Sequence, residues 1–113
     1  MTKIFVDAAD LDEVNKLLKK DYISGITTNP TLMRKSGVTN FEIFSKAVIA
    51  KTSLPISLEV FSDDLDEMYH QANIISSWGS NVYVKIPISN SKGISTTKII
   101  KKLCTEKIKI NVT

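Results

Sequence analysis

Four times along 113 residues, a short apolar run gives way to a stretch whose apolar residues recur at helical spacing. This alternation constrains the fold more than any other feature of the chain. Residues 3–7 read as a first strand. Leu11, Val14, Leu17 and Leu18 then follow a helical period, with Asp10 as N-cap and acidic Asp12 and Glu13 in the first turn. Residues 23–27 are a second strand candidate containing Gly25, and Asn29-Pro30 breaks the pattern. One helical turn over 31–35 stops near Gly37. Phe41, Phe44, Val48 and Ile49 mark a longer helix capped by Thr39 or Asn40. Residues 55–61 read as a third strand. Leu65, Met68, Tyr69, Ala72 and Ile75 make the next helix, opened by Ser62-Asp63-Asp64 and closed by Gly79. Residues 81–86 form a fourth strand, residues 94–103 a further helix, and residues 108–113 begin a fifth strand. A β-α-β-α order calls for a parallel sheet covered by helices. Periodicity alone leaves open whether that sheet is doubly wound or part of a closed barrel.

Composition narrows the function classes. Hydrophobic content of 42% and charged content of 24% suit a soluble globular domain. The net charge of +3 is spread over single lysines and Lys-Lys pairs. No basic stripe interleaves with aromatics, which argues against nucleic-acid binding. A mild positive balance suits an anionic small molecule. The only cysteine, Cys104, rules out a disulfide within the chain and a thiolate metal cluster. It sits in an apolar helical stretch and is expected to pack, reduced, in the core. The single histidine, His70, argues against Ser/His/Asp and Cys/His catalysis. Residues 1–7 are too poor in apolar residues for a signal peptide, and no run is long enough to span a membrane. A cytoplasmic location is the expectation. The first strand is followed by no G-x-G-x-x-G, which weakens a dinucleotide site.

Chemistry concentrates at the predicted strand ends, where ligands sit in both α/β architectures. Strand one ends in Asp7, strand two in Thr27-Thr28-Asn29-Pro30. Strand three carries Ser57 and Glu59, strand four ends at Lys85, and strand five reaches Asn111 and Thr113. Lys85 interrupts an otherwise apolar, β-branched run, where a charge is rarely buried unless paired or functional. A desolvated amine there would be partly neutral and able to attack a ketone, forming a Schiff base. Each residue has a plainer alternative. Lys85 can sit on an edge strand or snorkel to water. Asp7 can cap a helix, Asn29 can serve the turn before Pro30, and Glu59 can be an exposed strand position. Taken together, an amine, two carboxylates, hydroxyls and amides suit imine chemistry on a polyol.

At these residues the chain resembles the small transaldolase and fructose-6-phosphate aldolase family. The matching segments are Ile4-Phe5-Val6-Asp7-Ala8-Ala9-Asp10, Gly25-Ile26-Thr27-Thr28-Asn29-Pro30-Thr31-Leu32, Ser57-Leu58-Glu59-Val60, Val82-Tyr83-Val84-Lys85-Ile86-Pro87 and Ile110-Asn111-Val112-Thr113. The resemblance implies a (β/α)8 TIM-type barrel and Schiff-base catalysis on sugar phosphates, with no metal or organic cofactor. It implies that Lys85 forms the imine and that Asp7 takes the proton from the substrate C4 hydroxyl. It gives Glu59 and Thr113 a catalytic water and its proton transfers. Asn29 and Asn111 would hold the dihydroxyacetone part of the substrate, with Thr27 and Ser57 as lesser pocket residues. The aldolase branch tends to have glutamine at the Glu59 position and no asparagine at the Asn111 position, so both residues resemble the transaldolase branch. The implied reaction moves a three-carbon unit from fructose 6-phosphate to erythrose 4-phosphate, giving sedoheptulose 7-phosphate in the pentose phosphate pathway. A plain aldolase releasing free dihydroxyacetone is the alternative within the family.

A TIM barrel needs at least roughly 200 residues. The chain supplies four βα units and one more strand, so residues 1–113 are expected to be the N-terminal part of a single barrel domain, as a fragment of a longer protein. The arginine and serine that the family uses for the phosphate have no counterpart here. A lone half barrel would expose two sheet edges and its interior face. The alternatives are therefore a chain that pairs with a second copy or a complementary half, or an inactive remnant. The full-length form is expected to be a homo-oligomer that binds a sugar phosphate and neither nucleic acid nor membrane.

Overall fold

The computed structural model describes residues 3–8, 10–28, 30–35, 37 and 40–113. Five strands alternate with helices along the chain. These are β1 (Phe5–Asp7), α1 (Leu11–Leu18), β2 (Gly25–Thr28), α2 (Pro30–Lys35), α3 (Phe41–Lys51), β3 (Ile56–Glu59), α4 (Leu65–Ser76), β4 (Val82–Ile86), α5 (Thr97–Thr105) and β5 (Ile110–Val112). All neighbouring strands pair in parallel, in the order β1-β2-β3-β4-β5. A doubly wound sheet reverses its strand order and places helices on both faces. Here the order never reverses, and the helices share one face. The architecture is α/β, consistent with the first half of a TIM-type barrel.

The core lies between that face and the helices. Ile26, Ile56, Leu58, Val82, Val84 and Ile86 pack against Val14 of α1, Phe44 and Val48 of α3, Met68, Ala72 and Ile75 of α4, and Leu103 of α5. Three helices start where a carboxylate or amide accepts an otherwise unpaired N–H. Asp10 accepts from the Glu13 amide at 2.8 Å, Asn40 from Ile43 at 3.0 Å, and Asp64 from Glu67 at 3.0 Å. The Thr39 alternative lies outside the described residues.

Three sequence expectations need correction. The helix expected from Ile94 starts at Thr97. Gly93 adopts φ 78°, and the Asn90 amide donates to the Ile94 carbonyl at 2.9 Å, so this stretch closes a small hairpin. Ile94 is 49% exposed. Cys104 is exposed, because α5 buries Leu103, one residue and about 100° earlier around the helix. Helix α4 ends at Ser76, before Gly79. Gly79 serves close packing instead, since a Cβ there would lie 2.9 Å from Ile49 Cγ2.

Candidate functional site

Alternation along each strand divides the sheet into two faces. In β4, Val82, Val84 and Ile86 are buried against the helices, while Tyr83 and Lys85 are half-buried on the other side. The same parity puts Phe5 and Asp7 of β1, Thr27 of β2, Ser57 and Glu59 of β3, and Asn111 of β5 on that open face. Strand β4 lies between β3 and β5, so Lys85 is not on an edge strand. Six of the residues expected at the site, Asp7, Thr27, Ser57, Glu59, Lys85 and Asn111, thus come to one face from five strands.

Register sorts them into two rows. Asp7 pairs with Thr27, Thr27 with Ser57, and Ser57 with Tyr83. One layer nearer the carboxyl ends, Glu59 pairs with Lys85, and Lys85 with Asn111. Neighbouring strands stand about 4.8 Å apart, so Lys85 projects between a carboxylate on one side and an amide on the other. Hydrogen bonds fix the rows. The Thr27 hydroxyl donates to Asp7 Oδ1, so Asp7 is held across the sheet, and the capping role falls to Asp10. Asn111 Nδ2 reaches over β4 to donate to Ser57 Oγ at 3.1 Å. Ser57 is buried, so this bond satisfies a hydroxyl that has lost its water.

Thr113 follows β5 on the same parity as Asn111. Its side chain is exposed, and its backbone is held on both sides. Its amide donates to the Ile86 carbonyl at 3.0 Å, and its carbonyl accepts from Ile88 at 2.8 Å. Asn29 lies outside the described residues. At the amino-terminal end of the open face a groove of about 580 Å³ runs past Phe5, Thr27, Ser57, Tyr83 and Asn111. Phe5 lies over Gly25, its register partner; a Cβ at Gly25 would come within 2.3 Å of the ring.

Two features escaped the sequence reading. Tyr83 shares the open face with Lys85, and its position two residues earlier on the same strand was the available signal. The second is a contact between loops. Asp63, after β3, accepts from the Ser91 amide at 2.8 Å and from the Ser91 hydroxyl. These donors hold the Asp63 carboxyl below the usual carboxylate range, with a smaller contribution from Lys92. The partners are 28 residues apart, so no local pattern announces them. Among the described residues no group of three or more His, Cys, Asp or Glu side chains could hold a metal ion. Among them also, no helix is long and apolar enough to cross a membrane.

Comparison with known proteins gives a consistent result. Residues 4–113 match the family model described as transaldolase/fructose-6-phosphate aldolase. A probable transaldolase of Dehalococcoides mccartyi is 39% identical over 114 residues, covering 98% of this chain and 50% of the relative. A probable transaldolase of Maridesulfovibrio salexigens is 33% identical over 111 residues, with 98% and 50% covered. A protein of Listeria monocytogenes named probable transaldolase 2 is 36% identical over 111 residues, with 98% and 49% covered. The chain spans about half the length of these curated relatives.

Proposed function

The chain belongs to the transaldolase/fructose-6-phosphate aldolase family, and on that premise we propose that it carries the imine-forming half of a transaldolase site. Residues 1–113 are then the N-terminal part of one barrel domain, acting on sugar phosphates in the cytoplasm. One observation supports the chemistry above the others. Lys85 is a half-buried amine on an interior strand, flanked in register by Glu59 and Asn111, on the face that carries Asp7.

The proposed steps follow from those positions. The Lys85 amine adds to the C2 carbonyl of fructose 6-phosphate, and loss of water gives the imine. Glu59, one strand away, and Thr113 hold the water and carry the protons of that exchange. Asp7 takes the C4 hydroxyl proton as the C3–C4 bond breaks. Glyceraldehyde 3-phosphate leaves, and the bonding electrons move into the imine to form an enamine on Lys85. Asn111, Ser57, Thr27 and Asn29 hold the three-carbon unit through its hydroxyls. The enamine then adds to the aldehyde of erythrose 4-phosphate, and hydrolysis releases sedoheptulose 7-phosphate. Strands β1 and β4 are three positions apart, about 14 Å along the sheet, so the sheet's curvature must bring Asp7 and Lys85 to one substrate.

The test is Lys85→Met in a closed-barrel, full-length form of the protein. Dihydroxyacetone transfer from fructose 6-phosphate to erythrose 4-phosphate should fall to background. Full transfer by the variant would remove Lys85 from the mechanism. Release of free dihydroxyacetone without an acceptor, with poor transfer, would assign the chain to aldol cleavage instead.

A further inference from the structure

The contact between Asp63 and the loop after β4 connects to the row that holds Lys85. At the top of the sheet Glu59 and Lys85 are register partners, and the Val60 amide donates to the Lys85 carbonyl at 3.2 Å. Beyond this point the two chains diverge, one into α4 and the other into residues 87–96. They meet again at Asp63 and Ser91, four and six residues past Glu59 and Lys85. Ser91 gives Asp63 its amide at 2.8 Å and its hydroxyl, and Asn90 Nδ2 donates to the Asp63 carbonyl at 3.1 Å. Asn90 Oδ1 also accepts from the Lys92 amide at 3.0 Å and the Ile94 amide at 2.9 Å, which fixes the turn that presents Ser91. Thr96, fully buried, closes the loop by donating its hydroxyl to the Pro87 carbonyl. On the opposite side the Ile88 amide donates to the Thr113 carbonyl. The loop is therefore suspended between the exit of β3 and the end of β5, the two strands that flank Lys85.

The neighbouring aspartate shows that helix capping does not explain this arrangement. Asp64 is the N-cap of α4, while the Asp63 carboxylate is directed across the chain to Ser91. The charged groups around it are Asp64 and Asp66 from the start of α4 and Lys92 from the loop itself.

We propose that Asp63 is a positioning residue: its carboxylate clamps the loop after β4 to the exit of β3 and so fixes the spacing of Glu59 and Lys85. The inference deepens the imine reading and rests on it for its functional meaning. The test reads the clamp and the lysine separately. In the 113-residue chain, Asp63→Ala should speed amide exchange at Ser91 about tenfold, because a charge-assisted bond is lost. Competitive labelling with acetic anhydride, mapped by mass spectrometry, should show Lys85 changing reactivity at least about threefold, with exposed Lys98 unchanged. Ser91→Thr, which keeps the amide and a hydroxyl, should behave as the unaltered chain. Ser91→Ala leaves the carboxylate and main-chain bond in place, and it should shift Lys85 in the same direction by less. It supplies the same readout should Asp63→Ala fail to fold. A released loop with unchanged Lys85 reactivity would overturn the proposal, as would unchanged exchange. Borohydride trapping with fructose 6-phosphate on the unaltered chain tests the imine reading independently. Its failure beside an intact Lys85 response would remove that reading and leave the clamp standing.

Discussion

The two faces of the sheet are built from the same five strands, one residue out of phase, and they differ in nearly every physical respect. In the central strands β3 and β4 the helix-facing side is Ile56, Leu58, Val82, Val84 and Ile86 at almost zero exposure. Each such side chain contributes roughly 1.5–3 kcal/mol through burial. Among the described residues the open side presents an amine, two carboxylates, hydroxyls and the Asn111 amide, with Asp7 joined to Thr27 and Ser57 to Asn111 by cross-strand hydrogen bonds. Stability is concentrated on one face and reactive groups on the other. Adjacent residues in β3 and β4 therefore belong to different problems, and substitution should separate them.

The sharpest separation is within β3. Leu58→Ala should lower unfolding stability by about 2–5 kcal/mol, because Leu58 is 0% exposed and its removal leaves a cavity. Glu59→Gln next to it should change stability by less than about 0.5 kcal/mol. Urea unfolding of the pair measures both, and equal losses would erase the distinction between the faces. A smaller effect is expected at the helix ends. Asp10→Ala removes the acceptor for the Glu13 amide and should cost about 1 kcal/mol. On the open face, Asn111→Ala leaves the buried Ser57 hydroxyl without its donor and should cost a similar amount, about 1 kcal/mol. A neutral outcome there would mean that water replaces the amide and that the face is wetter than its geometry implies.

The smallest effect is a pH dependence. Asp63 titrates below its unfolded value, so the clamp's contribution is fully present above the unfolded pKa of about 4. It is lost as pH falls through the lower folded value. The Ser91 amide resonance should therefore be steady from neutral pH to about 4 and move only below that. Movement near neutral pH would assign the titration to another group.

Much of this division could be read from the order of residues. The apolar run over residues 82–86 gave the strand and singled out Lys85 as the charge within it, while the parity that sets Tyr83 beside Lys85 went unread. Asp10 was legible as a cap, Asn40 as one of two candidates and Asp64 within the Ser62-Asp63-Asp64 opening, because capping needs a short acceptor side chain at one defined place. The winding of the sheet was not legible, since periodicity describes one element and strand order describes several. The register that sets Lys85 between Glu59 and Asn111 was hidden for the same reason. The start at Ile94 misled because residue order alone does not show that Gly93 takes φ 78° and that Ser89 and Ser95 pair as a bridge. Cys104 misled because it follows Leu103 in a helix that also carries Ile99 and Ile100, while Leu103 is the residue of that helix that is fully buried. The Asp63–Ser91 contact had no local signature at all.

The most direct test of the central claim is borohydride trapping of the 113-residue chain with fructose 6-phosphate, with the adduct mapped by mass spectrometry. The account predicts one reduced adduct, on Lys85, and none in Lys85→Met. An adduct distributed over exposed lysines such as Lys98 and Lys101, with Lys85 unmodified, would contradict it.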